Sequence, residues 1–331
     1  MLREENGLIE VKNLSKNYGP VPAVKGISFT VKKGAIYGFL GPNGAGKSTT
    51  LNMICGCLAT TCGEVSVCGH DIIDEPLEAK ACIGYLPEIP PLYTDMTPFE
   101  YLEFVGLAKG LRKNELYDEI EYVMEKTKIS DVADRLIKNL SKGYRQRVGI
   151  AQALVGNPDI LIFDEPTVGL DPKQIIEIRN LIRSLGKNHT VILSTHILQE
   201  VSAVCDRVAI ISQGRIVAQN TIQGLEDESY DKDELMLTVL SEDKGVKDAI
   251  LSCNLIESLT GVASGKNGVQ KFIIKQKSGA DIRPELCKVL SQKGITIGEL
   301  RCSAPTLEEI FIKYASMTEF DDEETMEKEE E

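Results

Sequence analysis

No stretch of this 331-residue chain approaches the roughly 18 consecutive apolar residues that a helix needs to cross a bilayer. The opening Met1-Leu2-Arg3-Glu4-Glu5 lacks the apolar centre of a secretory signal, so the expectation is a cytosolic chain unless a partner holds it at a membrane. No basic stripe is present, and nucleic acid is therefore not expected as the main partner. Paired C-x-x-C units are missing as well. The nine cysteines are scattered, and Cys55, Cys57, Cys62 and Cys68, with His70 nearby, lack the spacing of metal ligands. Cys55 and Cys57 would point to different sides of one helix, so the cysteines read as reduced, mostly buried thiols.

The net charge of −13 is unevenly spread, because residues 319–331 carry nine acids and one lysine. That run reads as a solvated, disordered acidic tail over about 317–331. With 42% hydrophobic and 26% charged residues, the rest is ordinary for a globular protein and long enough for one large and one small core.

Against this background one loop stands out: Gly41-Pro42-Asn43-Gly44-Ala45-Gly46-Lys47-Ser48, followed by Thr49. It matches the pattern Gly, four residues, Gly-Lys-Ser of a phosphate-cradling loop. The apolar run 35–40 before it reads as a buried parallel strand, and 47–54 after it reads as a helix with Leu51, Ile54 and Leu58 on one face. Gly41, Gly44 and Gly46 let backbone N–H groups converge on phosphate oxygens, and the helix directs its positive end at the same anion. Lys47 would neutralise the β- and γ-phosphates, and the Ser48 hydroxyl would ligate Mg²⁺. The loop therefore points to a bound nucleoside triphosphate.

Two further stretches complete a site. Residues 160–165, Ile-Leu-Ile-Phe-Asp-Glu, read as a buried strand ending in two acids. Asp164 can hold Mg²⁺ through water, and Glu165 can polarise a water for attack on the γ-phosphate. Ser141 reads as the N-cap of a helix that runs through Val148, Ala151, Gln152 and Leu154 and ends by Asn157-Pro158.

Together these pieces resemble, over about residues 8–220, the ATP-binding subunits of ABC transporters. Leu140-Ser141-Lys142-Gly143-Tyr144-Arg145-Gln146-Arg147 resembles the signature sequence of that family. Asn17-Tyr18-Gly19 resembles its adenine-stacking loop, which nominates Tyr18. Gly169-Leu170-Asp171-Pro172 resembles the loop that crosses the dimer interface, with Asp171 its acid. Ser194-Thr195-His196 resembles the switch that brings a histidine, His196, to the γ-phosphate. The resemblance implies ATP and Mg²⁺ as cofactors, Lys47, Glu165 and His196 as catalytic residues, and a dimer with another copy or a related ATPase subunit. In it, Ser141 and Gly143 of one copy close over nucleotide held by residues 41–49 of the other. Glu88 stands where the family has a glutamine that contacts the metal; glutamate still offers oxygen but adds negative charge. Lys142 and Tyr144 also depart from the signature.

The expected fold class is α/β: a P-loop NTPase with an ABC-type helical subdomain, plus a small C-terminal α/β domain. The expected boundaries are 1–220 for the ATPase domain, with helical subdomain about 90–157, 221–316 for the accessory domain, and 317–331 for the tail. Phe99, Leu102, Val105, Leu107, Ile120, Val123 and Met124 give the stretch 97–137 its helical spacing, and with the Glu88 region it would receive a helix from an integral membrane permease. In the accessory domain, strands are expected at 235–240, 271–275 and 295–300, helices at 246–253, 282–292 and 307–315, and a hairpin turn at 264–268. Residues 305–311 resemble a C-terminal helix of exporter-like systems whose permease is a separate polypeptide. The implied function is an ATP-hydrolysing subunit, peripheral at the cytoplasmic face of the membrane, that energises transport, with export favoured. The alternative is a soluble ABC-type ATPase acting on ribosomes or nucleic acid, a class that usually carries two cassettes or a long coiled coil.

Overall fold

The computed structural model describes residues 7–228, 234–241, 245–253, 255–264, 269–277, 281–302 and 310–311. The acidic tail, the tip of the expected 264–268 turn and most of the expected 307–315 helix lie outside the described residues. The chain divides into two compact units, one running to Gln223 and one spanning Gly224–Ile310.

Two sheets build the first unit. Strands β1 (Ile9–Tyr18), β2 (Val21–Val31), β4 (Cys62–Val67) and β5 (His70–Asp71) form an antiparallel sheet in the order β2-β1-β4-β5. The second sheet contains β3 (Ile36–Leu40), β6 (Ile83–Leu86), β7 (Ile160–Asp164), β8 (Thr190–Thr195), β9 (Arg207–Ser212) and β10 (Arg215–Thr221), in the order β10-β9-β3-β8-β7-β6. All its neighbours are parallel except β10, which returns from β9 as a hairpin. Strands β3, β7 and β8 are buried at every position, as their unbroken apolar runs require of parallel strands covered on both faces. The register sets Leu40 beside Thr195 and Asp164 beside Ser194. The carboxyl ends of β3, β7 and β8 therefore emerge side by side, where open α/β sheets bind ligands.

The helices of this unit are α1 (Lys47–Ile54), α2 (Pro76–Ala81), α3 (Pro98–Ala108), α4 (Lys113–Thr127), α5 (Lys142–Leu154), α6 (Pro172–Leu185), α7 (Leu198–Val204) and α8 (Ile222–Glu228), the last of which runs across the division. The helical stretch 97–137 resolves into α3, α4 and two 3₁₀ turns, Ser130–Val132 and Ile137–Asn139. A capping box opens α3: the Thr97 hydroxyl accepts from the Glu100 N–H, and the Glu100 carboxylate accepts from the Thr97 N–H. Leu102, Val105, Ile120, Val123 and Met124 are buried as their spacing predicts, whereas Leu107 is 48% exposed.

Helix α1 is shorter than the Leu51, Ile54, Leu58 spacing suggests. Cys57 and Leu58 both return their N–H groups to the Asn52 carbonyl, at 2.9 and 3.1 Å, which ends the helix. Cys55 is thus a cap residue and Cys57 lies beyond it, so the two are not on opposite sides of one helix. Leu58 still packs against the core from the following turn.

One close approach fixes how α5 meets the sheet. A Cβ added at Gly84, in β6, would run into the Ala153 carbonyl oxygen of α5 and come within 2.9 Å of Leu161 Cδ2. Backbone cannot step aside as a side chain can. Gly84→Ala is expected to destabilise the fold by about 1–3 kcal/mol, read as a lower thermal midpoint.

The second unit is an antiparallel sheet of β11 (Glu234–Leu240), β12 (Ile256–Ser264), β13 (Val269–Gln276) and β14 (Thr296–Cys302), in the order β12-β13-β11-β14. Helices α9 (Val246–Leu251) and α10 (Arg283–Gln292) cover it, with Leu237, Val239, Phe272, Ile274, Leu286 and Leu290 in the core. Strand β12 is additional to the sequence reading; its pairing with β13 shifts register twice, and its residues lack regular alternation. Among the described residues no helix is long and apolar enough to cross a membrane.

Candidate functional site

The loop 41–46 leaves the end of β3 and runs directly into α1. It is pinned from two sides: Gly41 N–H donates to the Thr195 carbonyl at 3.4 Å, and Gly214 N–H donates to the Ala45 carbonyl at 3.0 Å. Gly46 has φ +101, and a Cβ there would sit 2.7 Å from the Ala23 carbonyl oxygen. Only glycine fits that backbone and that gap, which keeps the loop open as a cradle.

Lys47 shows how the cradle manages its charge. Its side chain is 6% exposed and folds back over the loop, donating to the Gly41 carbonyl at 2.9 Å and the Pro42 carbonyl at 3.1 Å. The same ammonium lies 3.4 Å from the Glu165 carboxylate. A buried cation is thus held by two dipoles and one anion.

Glu165 stands one residue beyond β7 rather than within it, at φ +47. A non-glycine residue in the left-handed region is strained, and such strain concentrates at functional positions. Its N–H is held by Ser194, through the carbonyl and the hydroxyl, each at 3.2 Å. Its carboxylate lies 3.0 and 3.1 Å from His196 Nδ1. His196 itself is 40% exposed at the side chain and follows the last residue of β8. The adjacent ends of β3, β7 and β8 therefore bring Lys47, Glu165 and His196 together. They line a cavity of about 380 Å³ with Asn43, Gly44, Gly46, Ser48, Thr49 and Glu88.

Ala23 and Val168 also line it and were not foreseen, since neither carries a chemical signal in the sequence. Ser194 has a role that its sequence position does not reveal. Its hydroxyl donates to the Asp164 carboxylate while also receiving the Glu165 N–H, so one serine positions both acids. Glu200 was missed altogether: buried at the start of α7, it accepts from Thr167 and, at 2.8 Å, from Thr195, with Arg179 3.7 Å away. That network ties the residue before His196 to the loop after Glu165.

Not every expected residue faces the cavity. Asp164 is buried behind it, held by Ser194. Gly41, Pro42 and Ala45 shape the loop without lining the space, and Tyr18 ends β1, half exposed, with the Lys16 ammonium 5.5 Å from its ring centroid. Ser141 caps α5, its hydroxyl accepting from the Tyr144 N–H at 3.4 Å, and is exposed; the Gln174 amide covers Gly143. Asp171 caps α6 by accepting from the Gln174 N–H at 2.9 Å. Ser141, Gly143 and Asp171 all lie off the cavity of their own chain.

Glu88 also borders a second, more apolar cavity of about 450 Å³ that includes Ile89, Pro90, Leu92, Lys142 and Arg145. Ile89 is 82% exposed, and Tyr93 and Phe104, whose ring centroids are 5.2 Å apart, are about half exposed.

The donors present suit a triphosphate and a divalent cation. Backbone amides and the Lys47 ammonium are donors of the kind that anionic oxygens accept from, and Ser48, Glu88 and Asp164 carry the hard oxygen atoms that Mg²⁺ prefers. Residues 24–168 match the family model of the ABC transporter. The chain is 33% identical over 314 residues to the uncharacterized ABC transporter ATP-binding protein YhcH of Bacillus subtilis (strain 168), covering 94% of this chain and 97% of that one. It is 33% identical over 308 residues to the bacitracin transport ATP-binding protein BcrA of Bacillus licheniformis, covering 92% and 96%. Among solved structures, the dimeric post-hydrolysis state of the ATP-binding cassette MJ0796 bound to ADP and phosphate superposes with a TM-score of 0.59 at 27% identity, covering 64% of this chain and 98% of that one.

Proposed function

Because the chain belongs to the ABC transporter family as an ATP-binding, ATP-hydrolysing subunit, we propose that it drives export through a separate membrane permease, working as a dimer at the cytoplasmic face. The observation that carries this reading is the arrangement of Lys47, Glu165 and His196 about one cavity, with the Ser141 end of α5 exposed and off it. A site so built has a floor and no lid. A second cassette supplies the lid by presenting its own Ser141 and Gly143 to the γ-phosphate, as does Asp171 to the neighbouring interface.

In that assembly each residue has a defined task. The amides of 41–49 and the Lys47 ammonium hold the phosphates, and Tyr18 lies against adenine. Ser48, Glu88 and, through water, Asp164 would hold Mg²⁺, which when bound supplies positive charge to the phosphate oxygens. Glu165 takes the proton of the attacking water as its oxygen bonds to the γ-phosphorus and the bond to the bridging oxygen breaks, leaving ADP and phosphate. His196, hydrogen-bonded to Glu165, orients that carboxylate. Release of phosphate removes the anion that both copies share, and the copies part.

The exposed Ile89, next to Glu88, and the exposed Tyr93–Phe104 pair favour a permease helix as the third partner, because an apolar surface suits a protein helix better than it suits ribosomal RNA. Purification of the tagged chain from detergent-solubilised membranes tests this. An integral membrane protein is expected to co-elute; ribosomes or RNA in its place would support the soluble alternative. We place residues 1–220 in the ATPase domain, with helical subdomain 90–157, and 221–316 in the accessory domain, boundaries that limited proteolysis can check.

A further inference from the structure

Away from the nucleotide cavity, at the opposite ends of β6 and β7, three potential metal ligands converge. The sulfurs of Cys68 and Cys82 and a carboxylate oxygen of Asp159 all lie within 4.8 Å of one another. They come from three separate segments: the turn between β4 and β5, the residue after α2, and the residue before β7. We propose that Cys68, Cys82 and Asp159 form a binding site for a zinc-class divalent cation, with the fourth tetrahedral position left to water.

The backbone at each ligand is fixed, as a built site requires. Cys68 N–H donates to the Leu8 carbonyl at 2.8 Å. The Cys82 carbonyl accepts from the Ile160 N–H at 3.0 Å, which locks it beside Asp159, and the Asp159 carbonyl accepts from the Thr190 N–H at 2.9 Å. Cys68 and Gly69 have φ +53 and +87, the angles of a type I′ turn. Asn, Asp or Gly ordinarily occupies the first of those positions, so a cysteine there carries strain that a ligand role would explain.

The donor chemistry selects the ion. Two thiolates with one carboxylate suit zinc or cadmium and disfavour Mg²⁺ or Ca²⁺, which demand oxygen. Burial and the neighbouring Cys82 thiol push the Cys68 thiol up to about 12. Binding displaces both thiol protons to solvent as the sulfur–metal bonds form. Lys33, 3.9 Å from Asp159, is a weak competitor because both side chains are well exposed. The ion would join the antiparallel sheet to the parallel one. Among the described residues Cys55, Cys57, Cys62 and His70 enter no comparable cluster.

The test is titration of the reduced, full-length protein with Cd²⁺, followed by its thiolate charge-transfer absorbance, and with Zn²⁺ in competition with a chromophoric chelator. Wild type is expected to take up one equivalent that Cys68→Ser and Cys82→Ser lose, and to gain thermal stability on Zn²⁺ addition. Asp159→Asn, at an exposed side chain whose ion pair with Lys33 spans 3.9 Å, is expected to bind at least about tenfold more weakly. No saturable equivalent in wild type, undiminished uptake by the serine variants, or unchanged affinity in Asp159→Asn would each overturn the proposal.

Discussion

Glu165→Gln is expected to lower steady-state ATP turnover by at least about 100-fold while leaving ATP binding intact. The amide keeps the size of the side chain but cannot take up a proton from water. The structure gives the carboxylate no other work at the surface: it is 7% exposed, 3.4 Å from the Lys47 ammonium and 3.0 Å from His196 Nδ1. Removing its charge also removes the internal anion that competes with phosphate for Lys47. Nucleotide affinity should therefore hold or rise, and a dimer closed around ATP should accumulate. Rapid-quench turnover and fluorescent-nucleotide binding measure the two halves of this expectation. Turnover near wild type would assign the base elsewhere.

Lys47→Ala is expected to weaken ATP binding by roughly 10- to 100-fold, the cost of deleting one charge-assisted contact worth about 1.5–3 kcal/mol. Part of its effect falls on contacts within the chain itself. There Lys47 satisfies the Gly41 and Pro42 carbonyls and shields Glu165, so its removal leaves a buried carboxylate without its nearest cation. A small drop in thermal midpoint should accompany the large loss in affinity, and added ATP should restore stability far less than in wild type. Isothermal titration and thermal melts on the same samples separate the two effects. Unchanged affinity would mean that the phosphates are held by loop amides alone.

The parts of the site most legible in the sequence were those that lie next to one another along it. Residues 41–49 declare themselves because a loop of that geometry admits few residue types, and Gly46 shows why: its φ of +101 and the Ala23 carbonyl 2.7 Å away exclude a side chain. Asp164 and Glu165 were visible because four apolar residues precede them, although the strand stops one residue earlier than that run suggests. Contacts made across the sheet were not visible. Ser194 serves two acids thirty residues upstream, and Glu200 links Thr167 to Thr195 from a helix whose sequence shows only a turn of amphipathic spacing. The Cys68, Cys82 and Asp159 cluster is another such case, since strand order, not local pattern, brings its members together. The end of α1 was misjudged for a different reason: Asn52 draws in the N–H groups of Cys57 and Leu58 although the apolar spacing runs on to Leu58. Strand β12 went unread because its irregular pairing leaves no clean alternation.

Mixing two inactive variants tests the shared site directly. Ser141→Arg would block the proposed lid while keeping Lys47 and Glu165; Glu165→Gln would remove the proposed base while keeping Ser141. In a mixed dimer one site combines an intact Glu165 with an intact Ser141 from the other copy. ATPase activity is therefore expected to rise on mixing well above that of either variant alone. Activity that stays at the average of the two, across all mixing ratios and with mixed dimers verified by mass, would contradict a site completed by a second copy.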